Sequence, residues 1–168
     1  MHPTARHHAE KFADQFCQNK GVFVEIGSFD VNGSLKETFG SYATEYIGLD
    51  QEAGKGVDMV LDDPYKWPLE DNSADYVVSS SCFEHAEFFW LLFLECARVC
   101  KPGGYIYFNA PSKNHYHGYP VDCWRFMEDS PQALANWAKR HNYNLEVIKA
   151  SVDRGTPWED CVGIFKKS

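Results

Sequence analysis

The sequence predicts an α/β protein, a three-layer αβα sandwich with a mostly parallel seven-stranded sheet and an antiparallel final strand. Short runs rich in Val, Ile, Tyr and Phe alternate along the chain with stretches of helical periodicity, the order expected of a parallel sheet covered by helices on both faces. Only about ten residues separate the last two β-rich runs, too few for a crossover helix. We therefore expect those two strands to pair antiparallel, at or near one edge of the sheet.

The elements can be assigned in order from these patterns. The predicted strands, in which β-branched and aromatic side chains dominate, are residues 22–26, 45–49, 57–61, 75–79, 105–109, 145–150 and 161–165. The predicted helices are residues 4–19, 34–39, 86–100 and 130–141. The third of them is stopped by the residues that follow it, Lys101, Pro102 and two glycines. No repeat or linker interrupts this order, so we expect a single domain over residues 1–168.

Composition excludes several classes of function. The formal net charge is −8, with acidic and basic residues interspersed, so we expect no nucleic-acid partner and no anionic membrane surface. No apolar run approaches membrane-spanning length. The six cysteines are scattered without a CxxC pair, which predicts free thiols and a reducing, cytoplasmic compartment.

The first chemical motif is an acidic strand end followed by a glycine turn. Glu25 ends the first predicted strand, and Gly27 lets the backbone bend towards a ligand. A buried carboxylate at this position calls for a cationic or hydrogen-bonding partner. The dinucleotide fingerprint G-x-G-x-x-G is absent, because Phe29 stands where its second glycine would be. The motif thus disfavours NAD and FAD and favours a cofactor with a positive sulfonium and an amino-acid tail.

Further motifs follow with regular spacing. Asp50 ends the second predicted strand, from which a carboxylate can bind both hydroxyls of a ribose. Residues 63–77 read DPYKWPLEDNSADYV, Glu84 and His85 form an acid–histidine pair after the fourth strand, and residues 98–104 read RVCKPGG. With these motifs the chain resembles the class I, Rossmann-like S-adenosylmethionine-dependent methyltransferases, strongly over residues 20–112 and by topology elsewhere.

The resemblance implies S-adenosylmethionine as the cofactor and a set of residues that bind it. Glu25, Gly27 and Ser28 would face the methionine moiety, Asp50 the ribose, and Asp62 or Asp63 the adenine amino group. The complete predicted cofactor set is Glu25, Gly27, Ser28, Phe29, Asn32, Asp50, Gln51, Asp62, Asp63 and Ser80. The sequence departs from the family at Phe29 and Val31, so Asn32 and Gly33 are expected to make the turn. Two alternatives stay open: Glu25 as a structural capping carboxylate and Asp63 as an ordinary turn aspartate.

Residues 114–126, which follow the fifth strand, are rich in rings and titratable groups and are expected over the mouth of the site. His117 and Asp122, with His85, are the predicted catalytic residues, because each can take a proton from an acceptor. The predicted acceptor-binding residues, which can stack or form hydrogen bonds, are Tyr116, Trp124 and Arg125. One alternative is a packed surface loop, and another is a metal site of His115, His117 and Asp122. That metal set lacks an evident fourth ligand, so no metal is predicted.

These observations predict a methyltransferase that acts on a small-molecule acceptor, such as a sugar or another hydroxyl-bearing metabolite. The short connections leave little room for a separate substrate domain, and the acidic charge disfavours DNA bases. The alternative function is a regulatory module that binds S-adenosylmethionine without turnover. An NAD-dependent oxidoreductase is disfavoured by the missing fingerprint.

Overall fold

The computed structural model describes residues 2–168 as a seven-stranded sheet with helices on both faces. The helices are α1 (Pro3–Phe16), α2 (Lys36–Phe39), α3 (Phe89–Val99) and α4 (Ser130–Arg140). The strands are β1 (Gly21–Ile26), β2 (Ala43–Asp50), β3 (Met59–Val60), β4 (Ala74–Ser80), β5 (Cys100–Pro111), β6 (Leu145–Val152) and β7 (Asp160–Lys167). Among residues 2–168 no helix has the length and apolar character needed to cross a membrane.

The sheet has the strand order β3-β2-β1-β4-β5-β7-β6. All pairs from β3 to β5 are parallel, whereas β7 runs antiparallel to both of its neighbours, β5 and β6. The predicted α/β sandwich and its antiparallel final hairpin are therefore confirmed, with β6 at the edge of the sheet. The cysteines are free thiols, as the scattered spacing predicted.

Most predicted elements differ from the observed ones in their bounds, and β5 begins five residues earlier than predicted. For the third strand and the third helix the difference has a local physical reason. Only Met59–Val60 of the predicted third strand pairs with β2, because the chain before it turns at Gly56, whose φ is 89°. There the Asp58 carboxylate, instead of a backbone carbonyl, accepts a hydrogen bond from the Gly48 amide at 2.8 Å, while the Asp58 amide still donates to the Gly48 carbonyl at 2.8 Å. Helix α3 begins at Phe89 rather than at residue 86, and Phe83–His85 form a separate 3₁₀ turn. That turn sets Glu84 and His85 apart from the helix.

The aromatic excess of the sequence fills two cores, one on each face of the sheet. Under α1 and α2 lie rings that include Phe12, Phe23 and Phe39. Under α3 and α4 lie Phe93 and Phe108 with their neighbours. Each buried phenylalanine contributes about 1.5–3 kcal/mol to the free energy of unfolding. Helices α1 and α2 cover one face of the sheet, and α3 and α4 cover the other. The connections after β1 and β4 therefore leave the sheet in opposite directions.

Arg98 ties the long connection between β3 and β4 to helix α3. Its guanidinium donates to both carboxylate oxygens of Glu95 at 2.7 Å and to the carbonyl oxygens of Trp67 and Leu69 at 3.1 and 2.7 Å. The Glu95 carboxylate also accepts a hydrogen bond from the Trp67 amide at 2.6 Å. This pair holds a chain segment that would otherwise have few ladder hydrogen bonds.

We predict that Arg98→Ala lowers the free energy of unfolding by about 3 kcal/mol, because it leaves the Glu95 carboxylate without its cation. Arg6→Ala is the control, since it breaks a single exposed pair with Glu37, with side chains 44% and 54% exposed, and should cost about 0–1 kcal/mol. Urea denaturation followed by circular dichroism measures both. Equal losses in the two variants would show that the Arg98 network does not hold the connection.

Candidate functional site

A cavity of about 1050 Å³ opens at the carboxyl ends of the central parallel strands. Its walls come from the connection after β1, the end of β2, the connection after β4, and the segment 117–121 that follows β5. In open α/β sheets, ligands bind outside the carboxyl ends where neighbouring connections diverge, which here is between β1 and β4. The cavity therefore lies where the topology predicts a ligand site.

The glycine turn after β1 is shaped by close packing against the connection after β4. Gly27 has a φ of 79°, and its amide and that of Ser28 donate to the Leu49 carbonyl at 3.0 and 3.1 Å. A Cβ on Gly27 would lie 2.5 Å from Cys82 Cβ, so a side chain there would push the two connections apart. The buried Ser28 hydroxyl lines the cavity without a hydrogen-bond partner among the described residues.

Glu25 lines the same cavity and is 4% exposed. The Tyr46 hydroxyl donates to its Oε2 at 2.7 Å. Burial raises the pKa of this carboxyl to about 7, with the Tyr46 hydrogen bond acting in the opposite direction. A cation placed in the cavity would restore the charged form.

Asp50 lies at the end of β2 with its carboxylate held in place by backbone amides. Oδ2 accepts from the Phe29 amide at 3.0 Å, and Oδ1 accepts from the Glu52 amide at 3.2 Å. These contacts connect the end of β2 with the turn after β1 at the cavity wall. Four other predicted cofactor residues also line the cavity: Phe29, Asn32, Gln51 and Ser80.

Asp62 and Asp63 are exposed and do not belong to the cavity lining. The Asp63 carboxylate accepts a hydrogen bond from the Tyr65 amide at 2.9 Å, so it holds a turn. Pro64 and Tyr65, from the same connection, line the cavity instead. The structure thus places this connection at the site but presents different side chains from those predicted.

Three polar side chains meet on the opposite wall. Glu84, which is 1% exposed, has its Oε1 3.7 Å from His85 Nε2 and 3.9 Å from His117 Nε2. The two imidazole rings lie edge to face with centroids 5.0 Å apart. All three residues line the cavity, and Trp158 packs against the His117 ring at 4.7 Å.

Contacts on the Nδ1 side hold both rings. His85 Nδ1 lies 2.5 Å from the Val121 carbonyl oxygen. The Asp122 carboxylate accepts from the His117 amide at 2.8 Å and lies 3.1 Å from His117 Nδ1. The Glu84 carboxylate raises the pKa of His117, while hydrogen bonds from Arg125 hold the pKa of Asp122 well below its usual range. Both rings therefore direct Nε2 towards Glu84.

The predicted acceptor-binding residues lie outside the cavity lining. Arg125 makes a two-pronged ion pair with Asp122, with N–O distances of 2.5 and 2.8 Å. Trp124 donates to the Ala86 carbonyl at 3.0 Å, and Tyr116 is 72% exposed. Asp122 itself is 1% exposed and is not a lining residue, so it contacts the site through His117. The alternative of a packed loop describes Trp124 and Arg125 well.

A model of the methyltransferase domain family matches residues 33–108. This match covers somewhat less than half of the chain. A methyltransferase of uncharacterised function from Mycobacterium avium is 30% identical over 107 residues, which is 57% of this chain and 40% of that protein. The chain spans 40% and 58% of the lengths of the two curated mycobacterial relatives that it matches.

Solved methyltransferase structures share the fold. The 1,6-didemethyltoxoflavin-N1-methyltransferase of Burkholderia thailandensis, solved with its namesake ligand and S-adenosylhomocysteine, has a TM-score of 0.72 at 11% identity, covering 98% of this chain and 78% of that one. An S-adenosylmethionine-dependent methyltransferase from Mesorhizobium loti has a TM-score of 0.69 at 14% identity, covering 98% of both chains. The chain therefore has the class I, Rossmann-like methyltransferase fold.

The sequence analysis missed one central residue of this cavity. Glu84 is the buried carboxylate between the two imidazoles, yet it was not among the predicted site residues. Its position next to His85 was the available signal. A buried glutamate in a short polar turn between a strand and a helix needs a partner, and the nearest candidates are histidines.

We predict that the stability difference between Glu25→Gln and the natural protein grows with pH. The native pKa of Glu25 is about 7, above the ordinary value of 4.5, so the native state holds this proton more tightly. The natural protein therefore loses stability, relative to the glutamine variant, as pH rises from 4.5 through 7. The difference should reach about 3 kcal/mol at pH 8, by linkage.

Urea denaturation at pH 4, 6 and 8 measures this difference directly. Glu45→Gln is the control, because Glu45 is exposed on the same strand as Tyr46 and away from the cavity. It removes a carboxylate from β2 without changing the Glu25 site, so the pH dependence of Glu25→Gln is compared with that of Glu45→Gln. A pH-independent difference for Glu25→Gln would show that the Glu25 carboxyl is ionised normally.

Proposed function

We propose that this protein is an S-adenosylmethionine-dependent methyltransferase that acts on a small hydroxyl-bearing acceptor. A single cavity supports this proposal, because its two walls carry different polar side chains. One wall has Glu25 and Asp50 at adjacent strand ends, and the other has Glu84, His85 and His117. Such a cavity can hold a cationic nucleoside cofactor on one side and a polar acceptor on the other.

The first wall fits S-adenosylmethionine. The volume of about 1050 Å³ leaves room for the cofactor and a small acceptor together. Buried Glu25 offers charge to a cationic amino-acid tail, and the Ser28 hydroxyl offers an unused hydrogen bond. Asp50, fixed by backbone amides, offers its carboxylate to the ribose hydroxyls. Gly27 keeps the turn close to the ligand because no side chain intervenes.

The second wall fits proton removal from an acceptor. Bound S-adenosylmethionine supplies a methyl group on a positive sulfur; transfer forms the acceptor–carbon bond, breaks the carbon–sulfur bond and leaves S-adenosylhomocysteine. The protein has to align the acceptor and take up its hydroxyl proton. His117 Nε2 faces the cavity and can accept that proton, and Asp122 acts as a positioning residue through His117 Nδ1. His85 and Glu84 complete the polar surface around it.

Several observations support a small acceptor and a reducing compartment. The cavity is enclosed by short segments of this chain, and the net charge of −8 is unfavourable for nucleic acid. The structurally similar protein from Burkholderia thailandensis was solved with 1,6-didemethyltoxoflavin, a small molecule. The free cysteines support a cytoplasmic location.

We predict that the protein binds S-adenosylhomocysteine and that Asp50→Ala weakens this binding by about 1–3 kcal/mol, the usual loss for a charged hydrogen bond. Isothermal titration calorimetry measures both affinities. Glu45→Ala is the matched control, because it removes an exposed carboxylate from the same strand. Natural affinity in a folded Asp50→Ala variant would remove Asp50 from the ribose site, and no binding by the natural protein would contradict the proposed cofactor.

We predict that His117→Ala lowers turnover by ~100-fold or more at unchanged S-adenosylhomocysteine affinity. Turnover is measured as S-adenosylhomocysteine released from S-adenosylmethionine with a panel of sugars and other hydroxyl-bearing metabolites. Parallel loss of affinity and thermal stability in His117→Ala would indicate that the ring only packs. Tight cofactor binding without release of product with any acceptor would favour the regulatory module over the enzyme.

A further inference from the structure

Glu84 is a buried carboxylate without hydrogen bonds to the rest of the described chain. The residue is 1% exposed, and neither Oε1 nor Oε2 has a partner within residues 2–168. Buried polar groups in proteins are almost always hydrogen bonded, and an exception points to a bound ion or ligand. Glu84 lines the cavity, so that ion or ligand can reach it from solvent.

The groups nearest to Glu84 are two imidazole nitrogens. The ligand atoms of Glu84, His85 and His117 all lie within 4.8 Å of one another. In a tetrahedral site with metal–ligand bonds of about 2.1 Å, neighbouring ligand atoms lie about 3.4 Å apart. The separations of 3.7 and 3.9 Å from Glu84 Oε1 to the two Nε2 atoms exceed this by only a few tenths of an ångström. Small side-chain rotations would close the set around one ion.

The outer contacts prepare both imidazoles to bind a metal through Nε2. His85 Nδ1 lies 2.5 Å from the Val121 carbonyl oxygen, so the proton sits on Nδ1 and leaves the Nε2 lone pair free. His117 Nδ1 faces the Asp122 carboxylate at 3.1 Å, with the same consequence. Metal-binding histidines in proteins typically donate their other N–H to a carbonyl or carboxylate in this way. Arg125 balances the charge of Asp122 and leaves Glu84 as the uncompensated anion.

We infer that Glu84, His85 and His117 bind a divalent transition-metal ion of the Zn²⁺ or Fe²⁺ kind at the acceptor wall. Two nitrogens and one carboxylate form the ligand set of catalytic zinc and non-haem iron sites, whereas Mg²⁺ and Ca²⁺ prefer oxygen ligands. Three protein ligands leave coordination positions open, and here these face the cavity. The histidine and aspartate set considered from the sequence differs, because exposed His115 bonds Asn114 and lies outside the cavity.

The consequence for catalysis rests on the proposed function. The open positions would receive the oxygen of the acceptor and lower the pKa of its hydroxyl group. His117 is then a metal ligand rather than the group that takes the proton, and Asp122 keeps its orienting role. The metal site thus narrows the acceptor class to molecules with a metal-binding oxygen.

The test is a titration of the metal-free protein with Co²⁺, followed by visible absorption, and with Zn²⁺, followed by calorimetry. We expect one ion to bind per chain. The visible absorption of bound Co²⁺ should be that of an ion with few ligands, some of them nitrogen. Glu84→Gln, which keeps the side-chain shape, and His117→Ala should each weaken binding at least tenfold. His115→Ala is the matched control, because it removes an exposed histidine from the same segment without touching the cluster.

A second control addresses the histidines of α1. His7→Ala removes an exposed imidazole beside His8 and should leave the affinity unchanged. The absence of ion binding by the natural protein, or equal binding by Glu84→Gln and the natural protein, would overturn the site. Circular dichroism shows whether each variant is folded, and calorimetry with S-adenosylhomocysteine separates the two proposals. Cofactor binding without metal binding refutes only the metal site and leaves His117 as the proton acceptor, whereas metal binding without cofactor binding refutes only the proposed function.

Discussion

The divergence of the connections that follow β1 and β4 is the constraint on which the rest of the site depends. The two strands are neighbours at the centre of the sheet, and they lead to helices on opposite faces. A crevice must open at their carboxyl ends, since neither helix can cover both connections. The turn at Gly27, the end of β2 at Asp50 and the turn that carries Glu84 all face this crevice.

Two buried carboxylates give the crevice its chemistry. Glu25 has one hydroxyl partner and a raised pKa, and Glu84 has no hydrogen-bond partner among the described residues. Burial of a carboxylate costs free energy unless a cation or hydrogen-bond donor compensates it, and perturbed groups in clefts are typical of functional sites. The two residues lie on different walls of the same cavity, so each needs its own positively charged partner. We propose a sulfonium cofactor as the partner of Glu25 and a divalent metal ion as the partner of Glu84.

The fold could be predicted from the sequence because it depends on local periodicity and connection length. Short β-rich runs and helical spacing predicted the succession of the elements, and the short connection before β7 predicted its antiparallel direction. The third strand was predicted too long, because the chain turns at Gly56 and the Asp58 side chain takes the place of a backbone acceptor for the Gly48 amide. Periodicity carries no information on such a side-chain contact.

The positions of Glu25 and Asp50 were easier to predict than the side-chain orientations in residues 114–126, because they depend on the topology of the sheet. Glu25 and Asp50 occupy strand ends, so topology alone brings them to one edge. The orientation of side chains in residues 114–126 depends on the path of a long loop, which the sequence pattern does not define. The pairing of Arg125 with Asp122 and the packing of Trp124 on Phe89 are results of that path.

Hydrogen exchange of the protein with and without S-adenosylhomocysteine tests most directly that the crevice between β1 and β4 is the ligand site. Ligand binding in this crevice should slow amide exchange in residues 25–33, 48–52 and 80–86, which contain wall residues of the cavity. Exchange in α4 and β6, away from the cavity, should stay the same. Protection confined to α4 and β6, or absent from all the wall segments despite saturating ligand, would show that the crevice between β1 and β4 is not the ligand site.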